Sequence, residues 1–205
     1  MLSRTIALVV LAALNSAASF AEKLQGAELR AAMQMQQALL GDRDITKVKA
    51  LLRDGFDINL PIGCGTFSVV DGAVAIGDVE MLKVFLDAGA RPVGSALIAA
   101  ARKKEARIAA RLVELLLKKG ADPNFKESFG GAGFTTPLHG AAFQGNRKVV
   151  ELLLKSPGIA VNLVDVDGRT PEMWATQRGH TEVAKILREA RTRQKTEIAH
   201  VDRGN

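Results

Sequence analysis

The chain has 205 residues, of which 47% are hydrophobic and 24% charged, so it can bury a core and is not a disordered polymer. Its 28 basic and 22 acidic side chains give a formal net charge of +6. One cysteine excludes an intrachain disulfide framework and a cysteine-based zinc site, and the 4% aromatic content, without tyrosine, argues against a stacking platform for single-stranded nucleic acid.

The first 21 residues are predicted to be a signal peptide. Arg4 provides a positive start, Ile6–Leu14 is an apolar run, and Ser19 and Ala21 are the small residues expected before a cleavage site. The apolar run is shorter than the roughly 20 residues of a membrane-spanning helix, so we expect cleavage after Ala21 and no insertion in the membrane afterwards. The remaining chain has a net charge of +5 and is predicted to be periplasmic, with secretion as the alternative.

After this segment the sequence repeats itself. Thr136-Pro137-Leu138-His139 and the following Val149–Leu154 have counterparts 34 residues later, in Thr170-Pro171 and Val183–Leu187. The apolar second half of the same unit occurs three more times upstream, at Val113–Asn124, Met81–Ala90 and Val48–Asn59. Five units are therefore predicted, and a period of this length is typical of stacked helical repeats.

The residues of one unit predict a pair of helices. Thr136 is suited to cap a helix, and Pro137 fits its first turn, where a missing N–H group costs nothing. Ala141 is small enough for a neighbouring helix to approach, Gly145 ends the helix, and Val149–Leu154 forms a second, more apolar helix. Neither helix can bury its apolar face alone, so the units must stack.

The segments TPLHGAA, VVELLL, GHTEVAKIL and KKGADPN resemble the ankyrin repeat family, over about residues 28–190. This resemblance implies an all-α repeat solenoid of helix-turn-helix units, with hairpin finger loops and a concave face made of first helices and fingers. The predicted repeat domain covers 22–191, followed by a basic polar tail, 192–205, which is expected to fray. The repeats are assigned to 28–59, 60–92, 93–125, 126–162 and 163–191.

The middle of the predicted array is irregular. The finger at Gly89–Gly94 is short, the one at Asn124–Thr135 is long, and about four extra residues at Lys104–Arg107 predict one more helical turn. Such irregularity either marks the place where a partner binds or reflects neutral drift in loop length, and both interpretations stay open.

No catalytic or metal-binding motif has the required spacing. Asp165–Gly168 is similar to the start of a calcium loop, but Thr176 occupies the place of the required bidentate glutamate. The glycines at 130, 131 and 133 are not followed by the Lys-Ser/Thr pair of a phosphate-binding loop. We predict a non-catalytic protein without metal or cofactor, and the resemblance implies a structural hydrogen bond for His139.

The family geometry implies that a partner contacts the ends of the first helices and the finger tips. The corresponding residues are Ala75, Ile76, Arg102, Lys103, Phe143, Gln144, Asp167, Arg169, Gln177 and Arg178. Phe129 and Phe134 in the long finger are predicted as further apolar anchors, because aromatic residues are enriched in interfaces. The alternative is that Phe125, Phe134 or Phe129 fixes the finger to the repeats. Trp174 replaces an inward aliphatic residue and is predicted to belong to the core.

Several functions fit these expectations. The first is a periplasmic module that binds one acidic protein partner, with an immunity protein against an antibacterial toxin and an oxidative-stress-linked protein as special cases. The second is a secreted effector that binds host proteins. The third is a scaffold for an anionic envelope polymer, whose binding would weaken steeply with salt. Nucleic acid is excluded as a partner by the predicted export and the sparse aromatic residues. The oligomeric state is left open.

Overall fold

The computed structural model describes residues 26–62, 67–128 and 134–201. They divide into two compact units, which are joined between Arg91 and Pro92. The predictions for the signal peptide and for Phe129 lie outside the described residues. The backbone of Phe134 is described, but the prediction for its side chain lies outside them as well.

The first unit consists of two helical hairpins. Its elements are α1 (Ala27–Gln36), a π-helical continuation of it (Gln37–Asp42), α2 (Ile45–Arg53), α3 (Val69–Ile76) and α4 (Val79–Asp87). The N-terminus of α3 is a capping box, in which Ser68 Oγ accepts a bond from Asp71 N at 3.1 Å and the Asp71 carboxylate accepts one from Ser68 N at 3.0 Å. Leu39 and Phe85 are fully buried in this unit.

The second unit contains three helical hairpins in two layers. Its helices are α5 (Gly94–Ala101), α6 (Ala106–Lys118), α7 (Pro137–Gln144), α8 (Arg147–Leu154), α9 (Pro171–Gln177) and α10 (Thr181–Val201). The first helices α5, α7 and α9 pack side by side, and α6, α8 and α10 form the second layer. The long finger contains strands β1 (Glu127–Ser128) and β2 (Phe134–Thr135), which pair antiparallel with Glu127 opposite Thr135.

Local sequence explains where α7 begins and ends. Thr136 caps it, Pro137 occupies its first turn, and Gly145 ends it at a φ of 68°, in the left-handed region that favours glycine. Asn146 then accepts a bond from Val149 N at 3.4 Å and caps α8. The predicted helix pair of this repeat is therefore confirmed at the N-terminus of α7 and at the turn between α7 and α8.

Leucines from both layers form the core of the second unit. Leu97, Leu112, Leu138 and Leu153 are almost completely buried, and each comes from a different helix. Full burial of such a side chain is worth about 1.5–3 kcal/mol. Since these contacts lie between helices rather than within them, the repeats depend on stacking for stability.

Asparagines connect successive finger bases within each unit. Asn124 Nδ2 donates to Gly158 O at 2.9 Å, and its Oδ1 accepts from Ala160 N at 2.8 Å. In the first unit, Asn59 Oδ1 accepts a bond from Arg91 N at 3.1 Å. The same side-chain type thus joins neighbouring repeats at equivalent places.

The predicted irregularities of the third repeat are present. Helix α6 has 13 residues, against 9 in α4, so the longer helix is confirmed, but Lys104 and Glu105 lie in the loop before it and only Ala106 and Arg107 of the four extra residues are helical. Helix α5 begins directly at Gly94, and the ring of Phe125 lies so close that a Cβ at Gly94 would be 2.0 Å from its Cγ. Phe125 therefore fixes the base of the long finger to α5, as the alternative interpretation expected.

The last helix corrects one expectation. The segment after residue 191 was expected to fray, but α10 continues to Val201. Gln194 Nε2 donates to Ile159 O at 2.7 Å, and Gln194 Oε1 accepts from Val161 N at 3.4 Å. These bonds to the preceding repeat, together with residues of good helix propensity, extend the helix where no apolar period exists.

Candidate functional site: an aromatic–arginine pocket

Four of the predicted binding residues meet in one open pocket of the second unit. The pocket has a volume of about 380 Å³ and is lined by Phe143, Arg169, Trp174, Gln177 and Arg178. We call these five residues the aromatic–arginine pocket. It lies where the end of α7 meets α9 and the finger that precedes α9.

The repeat itself brings these side chains together. Helices α7 and α9 begin with the same Thr-Pro pair, and Thr170 caps α9 by accepting a bond from Met173 N at 3.3 Å. Because the two helices pack side by side, Phe143 near the end of α7 lies beside the last turn of α9 and its C-cap, Arg178. His180 connects the start of the next helix to this corner, since its Nε2 donates a hydrogen bond to Phe143 O at 3.2 Å.

Phe143 is the centre of the pocket. The guanidinium carbon of Arg178 lies 3.8 Å from its ring centroid, and that of Arg102 lies 5.7 Å from it. The Trp174 ring is 5.6 Å away and tilted by 58°. Cations are attracted to the face of an aromatic ring, so Phe143 holds both arginines near one place on the surface.

Gly140, which has no side chain, allows Arg102 to reach the Phe143 ring. A Cβ at Gly140 in α7 would be 2.7 Å from Arg102 Cγ and 3.6 Å from the Cβ of Ala101. The stem of Arg102 therefore crosses α7 over Gly140 on its way to Phe143. This close approach makes Gly140 part of the site, although it bears no functional group.

Asp165 organises the other side of the pocket. Its side chain is only 1% exposed, and Oδ1 accepts bonds from Asp167 N at 3.0 Å and Arg169 N at 2.8 Å. Its Oδ2 accepts bonds from Arg169 Nε at 2.9 Å and from Trp174 Nε1 at 2.8 Å. The carboxylate therefore closes the finger turn, orients the indole and places the Arg169 guanidinium 5.4 Å from the Trp174 ring.

The charge of Asp165 is stabilised in this position. Burial alone raises the pKa of this carboxyl group, but the bonds from Arg169 N, Trp174 Nε1 and the Arg169 side chain outweigh it and hold the pKa below its usual range. The carboxylate is thus ionised and has its acceptors occupied. It is a structural group that closes the finger turn.

His139 connects the two repeats beneath the pocket. Burial lowers its pKa, although the bond to Arg169 O opposes this, so the ring is neutral near pH 7. Thr136 N donates to Nδ1 at 3.3 Å, which places the proton on Nε2, 3.0 Å from Arg169 O. The ring also meets Trp174 edge-on at 5.7 Å. The structural role that the resemblance implied for His139 is confirmed.

The other predicted contact residues are placed as follows. Asp167 is exposed and pairs with the Arg169 guanidinium. Gln144 is half-buried, and burial lowers the pKa of Lys103 on the loop after α5. Ala75, which is exposed, and Ile76, which is half-buried, end α3 in the first unit.

Sequence reasoning placed Trp174 wrongly. It was predicted to be a core residue, but it is half-buried and lines the pocket. An indole N–H needs a hydrogen-bond acceptor when it is partly buried, and Asp165 provides one at the base of the finger. The signal in the sequence was an aspartate and an arginine four residues apart, just before the helix that bears the tryptophan.

Neither a metal-binding cluster nor a membrane-spanning helix is found in the described ranges. No three His, Cys, Asp or Glu side chains there are grouped so that they could hold a metal ion. Within the same ranges, no helix combines the length and the apolar character needed to cross a bilayer.

Comparison with known proteins identifies the fold family. The family model for ankyrin repeats in three copies matches residues 70–163 and 97–198, a span that includes the whole aromatic–arginine pocket. The chain belongs to the ankyrin repeat family. The predicted all-α repeat solenoid is thereby confirmed, and the ankyrin repeat chain is a protein–protein interaction module.

Curated relatives of this ankyrin repeat chain match between about half and two thirds of its length. Human cyclin-dependent kinase 4 inhibitor B is 35% identical over 132 residues, which are 64% of this chain and 93% of the relative. Human cyclin-dependent kinase inhibitor 2A is 36% identical over 123 residues, which are 58% and 74% of the two chains. A probable E3 ubiquitin-protein ligase XBOS32 from Oryza sativa subsp. japonica is 36% identical over 99 residues, which are 48% of this chain and 18% of the ligase.

Proposed function

We propose that the chain is an exported binding module that holds one acidic protein partner against the first helices and fingers of residues 92–201, without catalysis of its own. The observation that carries this proposal is the aromatic–arginine pocket. It combines two aromatic rings and several arginines at an open surface, and these residue types dominate binding energy in protein interfaces.

The chemistry of the pocket supports binding rather than catalysis. Asp165 and His139 lie behind the rings, and both are committed to hydrogen bonds within the fold. Neither group is poised to exchange a proton with a ligand. The groups that face the pocket are rings, an amide and guanidinium groups, which recognise a partner by contact and charge.

Two features support the acidic partner and the exported location. The chain that remains after cleavage would have a net charge of +5, and arginines surround Phe143, so an acidic surface is attracted both at a distance and in contact. Residues 1–21 have the pattern of a cleaved signal peptide. Two relatives are named inhibitors of cyclin-dependent kinases, and inhibition by a repeat protein needs only contact with its target.

The binding site is tested with Phe143→Ala. Proteins retained by the tagged wild-type chain are identified by mass spectrometry, and the affinity of the purified partner is then measured by calorimetry. We expect Phe143→Ala to weaken binding at least about tenfold, since a buried aromatic anchor contributes about 2 kcal/mol or more. The control Met33→Ala removes an exposed side chain from α1 and should leave the affinity unchanged. Equal affinity for wild type and Phe143→Ala would contradict the proposed site.

The location is tested by fractionation of host cells and by intact mass. We expect a periplasmic product that begins after Ala21, and a product that retains Met1 in the cytoplasm would refute the export. The identified partner then distinguishes the special cases. A toxin supports an immunity protein, an antioxidant enzyme supports a stress-linked protein, and a host protein supports a secreted effector.

A further inference from the structure

We propose that the aromatic–arginine pocket receives one acidic side chain of the partner, with its carboxylate on the Arg178 guanidinium and its methylene groups against Phe143 and Trp174. The inference rests on the proposed function, because it names the chemistry by which the bound protein is recognised. Its occupant is a glutamate or aspartate on an exposed segment of that protein.

Arg178 is prepared for this contact. It is the C-cap residue of α9, it is exposed, and its guanidinium group lies 3.8 Å from the Phe143 ring centroid. Within the described part of the chain, no carboxylate or other acceptor pairs with this group. Its N–H donors are therefore available to a ligand, and a guanidinium group can bind a carboxylate with two parallel hydrogen bonds.

Arg169 differs from Arg178 in this respect. Its guanidinium donates to Asp165 and to Asp167, so the positive charge of Arg169 is already compensated by carboxylates of its own finger. The Arg178 guanidinium lines the pocket and lies 3.8 Å from the Phe143 ring centroid without a carboxylate partner in the described residues. The pocket therefore attracts a negative group to Arg178 rather than to Arg169.

The walls of the pocket select the shape of that group. Trp174 Nε1 donates to Asp165, so the indole presents carbon atoms to the pocket and no donor. The Phe143 and Trp174 rings lie 5.6 Å apart at an angle of 58° and form an apolar corner beside Arg178. A glutamate or aspartate side chain matches this arrangement, because methylene groups precede its carboxylate. A neutral aliphatic side chain would fill the corner but leave the Arg178 donors without an anion.

The single tryptophan provides a local readout. The sequence has one Trp and no Tyr, so intrinsic fluorescence reports on the pocket alone. The full chain is titrated with acetylated, amidated pentapeptides of alanine that carry Glu, Gln, phosphoserine or Leu in the centre, and with sodium acetate. We expect a saturating fluorescence change with the Glu peptide and about tenfold or weaker binding of the Gln and Leu peptides, as for loss of a charge-assisted pair of hydrogen bonds.

Variants test whether Arg178 causes the preference for the Glu peptide over the Gln peptide. Arg178→Gln should bind the two peptides equally. Arg178→Lys should keep only part of the preference, because lysine cannot form two parallel hydrogen bonds to a carboxylate. The control Arg111→Gln makes the same charge change on the exposed side of α6 and should behave as wild type. Circular dichroism verifies that each variant is folded.

Four outcomes would overturn the inference: equal binding of the Glu and Gln peptides, tighter binding of the phosphoserine peptide, equal binding of acetate, or no fluorescence change at tens of millimolar Glu peptide.

The variants Phe143→Ala and Arg178→Gln separate this inference from the proposed function. If Phe143→Ala loses the captured partner but Arg178→Gln retains it fully, the surface is correct and the carboxylate contact is wrong. If Phe143→Ala also retains it, the proposed binding site itself fails.

Discussion

Replacement of Asp165 tests whether one buried carboxylate maintains the aromatic–arginine pocket. Asp165→Ala removes the acceptor of four hydrogen bonds, with lengths of 2.8–3.0 Å, from two backbone N–H groups, the indole of Trp174 and the guanidinium of Arg169. The backbone N–H of the exposed Asp167 regains a bond to water after the change. The donors of Trp174 and Arg169 are half-buried and regain less.

The magnitude follows from these donors. An unsatisfied buried donor costs about 1–3 kcal/mol, and the Trp174 and Arg169 donors regain only part of their bonds from water, so we expect Asp165→Ala to lower the free energy of unfolding by about 3 kcal/mol. Asp165→Asn keeps one oxygen for the backbone donors but places an NH₂ group opposite two other donors, and should cost roughly half as much. The control Asp167→Asn disrupts only an exposed ion pair, worth about 1 kcal/mol or less.

The contribution of Asp165 to the free energy of unfolding decreases at low pH. Because the pKa of Asp165 is lowered in the folded protein, its contribution is complete above the unfolded pKa of about 4 and is lost as the pH falls through the folded value. Wild type should therefore lose more stability between pH 5 and pH 2 than Asp165→Asn does. Both the stability at pH 7 and this difference are measured by urea unfolding, followed by circular dichroism and Trp174 fluorescence.

A loss below about 1 kcal/mol in Asp165→Ala, with an unchanged Trp174 emission maximum, would refute the reasoning. It would mean that water replaces all four bonds without cost and that the finger does not need the carboxylate.

Three further predictions concern the repeats around the pocket. Since burial lowers the pKa of His139, the free energy of unfolding should decrease as the pH falls below about 6.5, and His139→Gln should reduce that decrease in urea titrations; an unchanged pH profile would contradict it. Gly94→Ala should lower stability by about 1–3 kcal/mol in thermal unfolding, because the new Cβ overlaps the Phe125 ring, and a neutral effect would show that the ring is not held there. Glu172→Gln removes the carboxylate that binds Arg188 and a second arginine of α10, so the melting temperature should become less sensitive to salt than in wild type; the same salt response in both would disprove the ion-pair role.

The helix boundaries could be predicted because they depend on nearby residues. Thr136 and Pro137 start α7, Gly145 ends it, and the same Thr-Pro pair at Thr170 starts α9. These signals act within four residues and require no knowledge of the tertiary structure. The apolar second helices then follow from periodicity, since each must bury one face against a neighbour.

The details of the site depend on contacts between repeats, which a single sequence does not reveal. Arg102 reaches Phe143 only because Gly140 lies between them and has no side chain. Trp174 leaves the core only because Asp165 accepts its N–H at the base of the finger. Both features require distances across helices, whereas the spacing of residues along one helix predicted an exposed arginine and a buried tryptophan.

The hydrogen bonds of Gln194 affect the local unfolding of the last repeat. Its amide donates to Ile159 O and accepts from Val161 N, so both of its polar groups hold the backbone before the last finger. In a repeat protein, terminal repeats ordinarily open one at a time, and hydrogen exchange reports such local openings. Here the last helix cannot detach without breaking the bond from Val161 N–H, so the amide proton of Val161, in the preceding repeat, should exchange with the same opening free energy as those of α10.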